Sequence, residues 1–500
     1  MAEFNLPIAL TFVAYLAVVL AIGVVAWFRT RTASDYFLGG RRLSPAVAAL
    51  SAGASDMSGW VLLGLPGYAY LAGLEAGWIS LGLCIGVALN WLLSARRLRI
   101  YSFHLEDAVT LPCYLHRRFR CPGPWLKLLS SLFILFFFLF YVSSGLIGAG
   151  KLFVAVFDFD YRLSVLLGAA IIIFYTLFGG FLAVSWTDVF QALLMTLALV
   201  LAPLMAVSLL GGYPEWAGQL REINPALMSF TTDRQGQPLG TMAVISLLGW
   251  GLAYFGQPHI LARFKAVHSP HQLHVAAAIG IGWSVMIYTT SIAVGLSGAA
   301  LLENPLADSE QVFMVLVQLL FHPLMAGFLL SAILAAIMST VDSQLLVSSS
   351  TLAEDLYPLA TGRTLSERGR ITAGKWAVAV IAVIATSVAM DPDSKVLDVV
   401  AYAWGGLGAA LGPATLLSLY WKRMNWQGAL AGVMVGGLTV MVWKQLHGGW
   451  FDVYELVPGF FFSLIAIVVV SVMTPAPKPG VIGDFDIMLK LLGNSRRRAI

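Results

Sequence analysis

Long apolar stretches, separated by short polar segments, recur along the whole chain. Each is about as long as the roughly 20 apolar residues that a membrane-spanning helix needs. The pattern therefore predicts an all-α polytopic membrane protein with thirteen transmembrane helices. The predicted spans are 5–28, 46–69, 74–95, 126–156, 161–180, 187–210, 241–258, 273–301, 311–352, 373–390, 396–420, 425–445 and 453–474. The ninth is too long for one straight crossing, so part of it is expected to project beyond the bilayer.

Composition agrees with this pattern and excludes an ordinary soluble protein. Of the 500 residues, 59% are hydrophobic and 11% are charged, and the mean hydropathy is +0.83; soluble domains carry about 25% charged residues. The three cysteines form no CxxC pair, which indicates neither a disulfide framework nor a zinc site. Because no basic region precedes the first span, we expect a retained helix rather than a signal peptide.

The basic residues predict the orientation of the chain in the membrane. All but six of the 30 Lys and Arg residues fall in segments that alternating crossings assign to one side. The exceptions are Lys151, Arg162, Arg221, Arg234, Lys395 and Lys444. Basic residues accumulate on the cytoplasmic side, so we expect the N-terminus outside and the C-terminus inside a plasma membrane (the inner membrane, if bacterial). The basic tail is expected to be attracted to anionic lipid.

One stretch, 49–67 (ALSAGASDMSGWVLLGLPG), interrupts the apolar pattern of the second span. It contains Asp56, and an ionisable side chain at membrane depth costs at least about 2.5–3.5 kcal/mol, so its first interpretation is functional. Four glycines and a proline weaken the helix around it. Such a break is tolerated only where the freed backbone faces protein or a wet cavity. The stretch predicts an unwound helix that coordinates a cation beside a solute; the alternative is a packing helix whose aspartate caps a neighbouring helix end.

A second interrupted span lies at 248–260 (LGWGLAYFGQPHI). Trp250, Tyr254 and Pro258 recur every four residues and so share one helical face. Glycine- or proline-interrupted spans at corresponding positions in two halves indicate a transporter site. The two interrupted spans are five apart, which fits two five-helix repeats of inverted orientation, preceded by one helix and followed by two. The alternative for Trp250 and Tyr254 is a belt of interfacial aromatics.

Two further groups of polar residues are candidates for cation binding. In 331–351, Ser339, Asp342 and Ser343 share a face and Thr340 sits beside it. A carboxylate beside hydroxyls is a suitable oxygen set for a hard cation such as sodium. Asp188, at the mouth of the sixth span, is either a helix-capping acid or an ion-linked residue, and the sequence leaves both open.

No enzyme signature of the HExxH, GxSxG or P-loop type occurs in the sequence, and neither a cofactor nor a nucleic-acid partner is indicated. The predicted organisation has an extra N-terminal helix with its first loop, two repeats, two further helices and a tail. Its boundaries are 1–45, 46–210, 211–420, 421–474 and 475–500.

Several long motifs make the chain resemble the sodium/solute symporter family. They are YFLGGRRLSP (36–45), ALSAGASDMSGWVLLGLPG (49–67), GGFLAVSWTD (179–188), GWGLAYFGQPHILARF (249–264), SAILAAIMST (331–340) and AYAW (401–404). The resemblance spans nearly the whole chain in order. ALSAGASDMSGW and YFGQPHILARF are specific to the proline-transporting branch of that family.

The resemblance implies an inverted-repeat core of the LeuT type that couples inward sodium flow to L-proline uptake. Sodium, a co-transported ligand rather than a cofactor, would be bound by Ala54, Met57, Ala336, Ser339 and Thr340. The implied proline pocket consists of Ser58, Trp60, Gly64, Tyr141, Trp250, Tyr254 and Pro258. Asp56 and Asp188 match ion-linked carboxylates, and Arg41 matches a position linked to coupling. Asp342 departs from the family pattern, in which a small hydroxyl residue is usual, and so leaves ion stoichiometry and proton use open.

Other functions remain as alternatives. The same fold could carry another small amino acid or a carboxylate, or could use protons. A membrane sensor of a solute would need an output domain, and the tail after residue 475 is far shorter than a minimal domain. Two broken helices favour an enclosed site over the continuous pore of a channel. No obligate protein partner is evident from the sequence.

Overall fold

The computed structural model describes residues 6–28 and 33–497, which form helices and two isolated β-bridges but no strand. The first eight helices are α1 (Leu6–Trp27), α2 (Ala33–Leu38), α3 (Pro45–Asp56), α4 (Gly59–Leu62), α5 (Gly64–Ala72), α6 (Gly77–Leu89), α7 (Arg96–His104) and α8 (Leu111–Arg118). The next eight are α9 (Trp125–Phe157), α10 (Tyr161–Leu209), α11 (Tyr213–Ile223), α12 (Thr241–Gly249), α13 (Pro258–Ala266), α14 (Leu273–Leu301), α15 (Val312–Leu320) and α16 (Pro323–Ser350). The last six are α17 (Tyr357–Thr361), α18 (Glu367–Val388), α19 (Val396–Tyr420), α20 (Trp426–Trp443), α21 (Leu456–Met473) and α22 (Pro479–Arg497).

Within these described ranges, ten helical segments are long and apolar enough to cross a membrane. Three shorter apolar helices complete the set, at Tyr161–Thr176, Thr241–Gly256 and Ser309–Leu320. The predicted all-α chain rich in apolar helices is therefore confirmed, and the protein is a multi-pass membrane protein.

Two of the predicted spans differ from single straight helices. The ninth, 311–352, is divided into α15 and α16, and α16 begins at Pro323. Proline suits the first turn of a helix because the amide it lacks has no intrahelical partner there. The fifth and sixth spans run on as α10, but Gly180 has φ +66° and turns the chain between them.

The helix α16 lies at the centre of the molecule and is buried along most of its length. It packs against α1, α3, α9, α10 and α18. The segment Trp250–Gly256 packs against α6 and α19. Its close approach to α6 requires glycine, because a side chain on Gly251 would collide with the backbone of Gly82, as is common where membrane helices meet.

Basic loops that the sequence assigns to one side lie together at one end of the helices, which we call the basic end. There, Arg97 donates to the Leu419 carbonyl (2.9 Å) and Arg118 to the Ser418 carbonyl (3.0 Å). The C-terminal helix α22 packs on α7 at the same end, where Asp484 pairs with Arg120 at 2.9 Å. All three cysteines are free thiols.

Candidate functional site

The helix that carries Asp56 is broken at the predicted position. α3 ends at Asp56, Met57 and Ser58 leave the helical conformation, and the single turn α4 follows. The Ser58 hydroxyl starts this turn by accepting a hydrogen bond of 3.5 Å from the Trp60 amide, as an N-cap residue does. The Asp56 carbonyl accepts from the Trp60 indole and the Tyr141 hydroxyl, each at 3.2 Å. Three residues of the implied solute pocket therefore meet at one break.

The Asp56 carboxylate lies inside the protein with 2% of its surface exposed. Its Oδ2 accepts from the hydroxyls of Tyr254 (2.5 Å) and Tyr288 (3.2 Å). Its Oδ1 has no hydrogen-bond partner among the described residues. Asp56 also lines a cavity with room for about one water molecule. Because hydroxyl groups hold this carboxylate, the alternative that Asp56 caps a neighbouring helix is wrong.

The second interrupted span is broken as predicted. A 3₁₀ segment covers Trp250–Gly256, Gln257 is extended (φ −88°, ψ 102°), and Pro258 opens α13. A side chain on Gly256 would collide with the Leu407 carbonyl oxygen of α19. Glycine and proline thus set the break locally, and the bare Gly256 backbone lets α19 pack directly against it.

The two breaks face each other across a cluster of aromatic rings. The ring centroids of Trp60 and Trp250 are 6.0 Å apart, those of Trp60 and Tyr288 are 6.0 Å apart, and those of Tyr254 and Trp404 are 5.0 Å apart. Trp250 and Tyr254 are buried, so the alternative of an interfacial aromatic belt is wrong for both. Such rings can enclose an apolar ring and attract a cation to their faces.

Gly64 and Pro258 lie at the edges of this cluster. Gly64 opens α5, and a methyl group added to it would lie 3.0 Å from Leu397 Cβ at the start of α19. Beside Pro258, the Gln257 side-chain amide donates to the Trp404 carbonyl at 3.1 Å. The start and the middle of α19 are thereby held close to the two breaks.

Four of the five implied sodium ligands contact one another. The Ala54 carbonyl, one turn before the break, accepts from the hydroxyls of Ser339 (2.8 Å) and Thr340 (3.2 Å). The Ser339 hydroxyl also lies 3.0 Å from the Ala336 carbonyl. All of these groups are buried, and neutral oxygens of this kind suit a hard monovalent cation. The fifth residue, Met57, lies within the break itself.

Asp188 lies at the centre of a separate buried polar cluster. Its Oδ2 accepts from the Ser51 hydroxyl (2.6 Å), the Ser55 hydroxyl (3.3 Å) and Arg263 Nη2 (3.3 Å). Arg263 also donates to the Ser343 hydroxyl. Asp188 is in the interior of α10, eight residues beyond the turn in that helix, so the alternative that it caps a helix start is wrong.

Asp342 points away from the implied sodium ligands. Its Oδ1 accepts from the Thr176 hydroxyl of α10, whereas Ser339 and Thr340 face Ala54. Its Oδ2 has no hydrogen-bond partner in the part of the chain that the structure describes. The single polar face that the sequence predicts for α16 is thus divided between different neighbours.

Arg41 lies outside the two breaks, at the basic end. It pairs with Asp107 and donates to the Lys265 carbonyl at 2.6 Å, in the last turn of α13. Burial lowers the pKa of the Arg41 guanidinium, and the Asp107 carboxylate opposes this shift. Arg41 therefore connects the first loop to the second broken helix rather than contacting the implied solute pocket.

The sequence as a whole matches one family model. The model described as the sodium:solute symporter family matches residues 36–436. The chain belongs to the sodium:solute symporter family. Its members are solute symporters, so the prediction that this protein is not an enzyme is confirmed. The described residues of this symporter hold no group of three or more His, Cys, Asp or Glu side chains that could bind a metal ion together.

Bacterial relatives of this symporter match it along almost their whole length. The sodium/proline symporters of Salmonella typhimurium and Haemophilus influenzae are each 46% identical to it. The first match covers 94% of both chains, and the second covers 96% of this chain and 97% of the relative. The high-affinity proline transporter PutP of Bacillus subtilis is 44% identical, over 93% of this chain and 98% of the relative.

Solved structures show the same fold. A Na⁺-coupled sialic acid symporter in a substrate-bound, outward-open state has a TM-score of 0.80 at 20% identity, covering 95% of this chain and 100% of that one. Mhp1, a nucleobase-cation-symport-1 family transporter in a closed conformation with bromovinylhydantoin bound, has a TM-score of 0.55 at 15% identity, over 90% of this chain and 98% of its own. The predicted all-helical fold of this symporter is thereby confirmed, and these two transporter structures share it.

Three residues in or beside the site were missed from the sequence. Tyr288 donates to Asp56, but it lies in a continuous apolar span without a charged residue or a proline, where nothing marks it. Trp404 contacts Tyr254 and belongs to the AYAW motif, which was the available signal. Arg263 is assigned from the sequence to a basic loop, yet it is fully buried beside Asp188. Its place in the YFGQPHILARF motif was the signal that it belongs to the broken span.

Proposed function

We propose that this symporter couples inward sodium flow to L-proline uptake by alternating access. The observation that carries the proposal is the meeting of two broken helices around buried aromatic rings, with a set of neutral oxygens one turn away. Relatives that are 44–46% identical and named as proline transporters support the choice of solute.

The proposed sodium ligands are the five residues implied by the family. On sodium binding, the Ser339 and Thr340 hydroxyls would give up their hydrogen bonds to the Ala54 carbonyl and turn their oxygens toward the ion, while keeping their protons. The Ala54 carbonyl and the carbonyls of Met57 and Ala336 would complete the oxygen set. Each group is a neutral oxygen donor, so the ion is held without being trapped. Binding sodium would fix α16 against the end of α3 and so stabilise the first break.

Proline is a compact zwitterion with an apolar ring. In the proposed pocket, the indole and phenol rings of Trp60, Tyr141, Trp250 and Tyr254 enclose that ring and the cationic nitrogen. At the breaks near Ser58 and Pro258, backbone amides without an intrahelical partner donate to the proline carboxylate. Backbone carbonyls there accept from its ammonium group. Gly64, the remaining residue of the proposed pocket, has no side chain and so lets Leu397 at the start of α19 lie directly against the first break.

The three carboxylates that the sequence links to ion binding have different proposed roles. Asp56 organises the first break through the tyrosine hydroxyls rather than binding the ion directly. Asp188 is linked to the ion through Ser51 and Ser55, which lie in the same helix as Ala54. Asp342, with one oxygen unpartnered among the described residues, is a candidate for a second cation or a proton. Arg41 is proposed to act in coupling through the end of α13.

The finer architecture is also a proposal. It comprises thirteen membrane crossings and two inverted five-helix repeats over 46–210 and 211–420, with 1–45 before them and 421–474 and 475–500 after them. The basic end faces the cytoplasm, the N-terminus lies outside, and the chain works in a plasma membrane without an obligate protein partner. Crowding of the basic loops at one end of the helices supports this orientation.

The deciding experiment is uptake of labelled proline into proteoliposomes under an imposed sodium gradient or an imposed proton gradient. We expect uptake with the sodium gradient and little with the proton gradient alone. Driving by protons alone would reject sodium coupling and would direct attention to Asp342. If excess unlabelled proline failed to compete, the solute would be another amino acid or a small carboxylate.

A further inference from the structure

A small cavity lies beside the two breaks, on the side of α6 and α14. It has room for about one water molecule, and the residues that line it include Asp56, Tyr254 and Asn90. Asn90 begins the π-helical segment Asn90–Ala95, which continues α6, and only 1% of its surface is exposed. Such π-helical turns are rare and occur frequently at functional sites. The cavity thus brings a residue from outside both breaks next to one residue from each.

The side-chain amide of Asn90 is oriented by the second break. Its Nδ2 donates to the Tyr254 carbonyl at 3.0 Å. Because a carbonyl oxygen can only accept, the amide nitrogen has to face Tyr254, and the amide oxygen Oδ1 faces elsewhere. That oxygen is buried and has no hydrogen-bond partner among the described residues. Asn90, which lines the cavity, therefore has an unused acceptor.

Asp56 has an unused acceptor as well. Its Oδ2 accepts from the Tyr254 and Tyr288 hydroxyls, whereas its Oδ1 has no hydrogen-bond partner in the described part of the chain. A buried polar atom without a partner is costly, and ordered waters commonly satisfy such atoms in proteins. Two unused acceptors, on two residues that line one water-sized cavity, match the two hydrogens of one water molecule.

A water molecule fits these groups better than a metal ion does. Hard cations such as Ca²⁺ take about six to eight oxygen ligands, and the sodium site proposed above draws on five residues. Asp56 and Asn90 contribute one unpartnered oxygen each, and the cavity admits a single small occupant. Both oxygens accept hydrogen bonds, so the occupant they require is a donor with two O–H groups.

We propose that one ordered water molecule bridges Asp56 Oδ1 and Asn90 Oδ1, and that Asn90 is a positioning residue that couples the sodium side of the site to the solute side. The water closes a ring of hydrogen bonds: Asn90 donates to the Tyr254 carbonyl, the Tyr254 hydroxyl donates to Asp56, and the water joins Asp56 to Asn90. Asp56 lies between the sodium ligands Ala54 and Met57, and Tyr254 belongs to the solute pocket, so the coupling role rests on the proposed function. A shift of Asp56 on sodium binding is thereby transmitted to Tyr254.

The first test looks for the water directly and needs no transport. The purified, unmodified protein is imaged by electron cryomicroscopy at a resolution that shows ordered waters. We expect a density peak within about 2.5–3.0 Å of both oxygen atoms. An empty cavity, or a peak that contacts only one of the two residues, overturns the proposal. A peak that strengthens when sodium is replaced by the thallous ion, which scatters far more strongly, marks a cation and also overturns it.

The second test separates positioning from a merely structural role. Asn90→Leu keeps the branched shape of the side chain but can neither donate nor accept a hydrogen bond. We expect it to lower the factor by which sodium raises the affinity for proline at least about threefold, as measured by equilibrium binding in sodium and in choline. A variant that only loosens packing lowers protein abundance and thermal stability but leaves this factor unchanged. An unchanged factor in Asn90→Leu therefore overturns the proposal.

The matched control is Ser94→Ala in the same π-helical segment. Ser94 is also buried, and its hydroxyl has no hydrogen-bond partner among the described residues. It lies outside the set of described residues that line the cavity, so we expect the coupling factor to be unchanged. A loss as large as that in Asn90→Leu would assign the effect to the whole segment and overturn the role of Asn90.

Asn90→Ser tests whether the acceptor oxygen is what matters. Its hydroxyl can still accept from the water, so this variant is expected to retain more of the coupling factor than Asn90→Leu. Equal losses in the two variants would count against a water held at this position. Should Asn90→Leu fail to insert, the density test still decides the proposal, because it uses the unmodified protein.

The two kinds of failure are distinguishable. The density is read in the cavity whatever solute the protein carries, so a protein that does not transport proline would reject the proposed function and leave the first test intact. If sodium-dependent proline binding is present and the density peak is not, this inference alone fails.

Discussion

Asp56, Asp188 and Asp342, three of the buried carboxylates, each have a different kind of neighbour. Asp56 accepts from two tyrosine hydroxyls, Asp342 accepts from a threonine hydroxyl, and Asp188 accepts from serines and from Arg263. Burying a carboxylate is costly unless hydrogen bonds or a cation compensate for lost hydration. Of the three, only Asp188 forms an ion pair within the described residues. We therefore expect the three to respond differently to substitution.

Replacing Asp56 tests the organisation of the first break. Asp56→Ala removes the acceptor of the Tyr254 and Tyr288 hydroxyls, and hydrogen bonds to a charged group are worth about 1.5–3 kcal/mol each. We expect sodium-driven proline uptake to fall at least about tenfold at unchanged protein abundance, with a smaller loss for Asp56→Asn. Initial uptake rates per inserted protein check this, and a near-normal rate at low sodium would remove Asp56 from the site.

Arg263 and Asp188 form a pair that can be tested by stability. Arg263→Met leaves Asp188 buried without its cation, which costs about 3–5 kcal/mol. Adding Asp188→Asn removes the unpaired negative charge and should restore most of the lost stability, as measured by thermal unfolding of the purified protein. If Asp188 is also needed for sodium binding, the double variant regains stability but does not regain proline uptake. A double variant no more stable than Arg263→Met would contradict the pairing.

At the residue scale, the sequence identified those groups whose chemistry conflicts with an apolar span. Asp56 and Asp342 stand out because a carboxylate is rare in such a segment. Tyr288 and Arg263 do not stand out, since a tyrosine is ordinary in a membrane helix and an arginine is ordinary near the end of one. Their roles depend on which distant segments they meet, and linear order does not contain that information.

At the scale of elements, the two breaks were the most predictable features. Both are encoded locally: Ser58 caps α4, and Gly256 and Pro258 flank the extended Gln257. The division of the ninth span was less predictable, because α15 and α16 are both apolar and only Pro323 marks the boundary. Asp342 and Ser339 on α16 bond to different helices, because α16 is packed on several sides. The helical spacing of these two residues along the sequence does not predict this difference.

The close packing of the second break against α19 gives a prediction for Gly256. An added methyl group would lie 2.8 Å from the Gly412 amide nitrogen and would also meet the Leu407 carbonyl oxygen. Both of these atoms belong to the backbone of α19, which cannot rotate away from the added methyl group as a side chain could. We therefore expect Gly256→Ala to destabilise the protein by about 1–3 kcal/mol and to reduce proline uptake.

The matched control is Gly282→Ala in α14, where an added methyl group meets no atom of the described residues within 4 Å. Alanine is the better helix former by about 1 kcal/mol, so this variant should be neutral or slightly more stable. Thermal unfolding of both variants decides the matter. Equal stability of the two would contradict the packing argument.

At the scale of the whole molecule, polar contacts fasten the helices at both ends. The Asp188–Arg263 cluster joins α3, α10, α13 and α16 toward the basic end, and the Glu310–Lys151 pair joins α9 and α19 at the other. Between them, the aromatic rings at the two breaks are buried. Under the proposed alternating access, the helices on either side of the site would separate at one end while remaining fastened at the other.

This arrangement predicts reciprocal coupling between the two ligands. Sodium must raise the affinity for proline by the same factor by which proline raises the affinity for sodium, and coupling of this kind is typically about 5–150-fold. Replacing sodium with choline should weaken proline binding by that factor in equilibrium measurements on membranes. Unequal factors, or no change in choline, would reject a shared binding cycle.

The burial of both breaks also has an electrical consequence. Because the proposed sodium ligands are buried among the helices, a transported sodium ion crosses the membrane voltage, and proline contributes no net charge to the crossing. A single sodium ion moving through 100 mV releases about 2.3 kcal/mol, and a tenfold concentration ratio corresponds to about 1.36 kcal/mol. Voltage alone would then sustain roughly a 50-fold accumulation of solute, even with equal sodium on both sides.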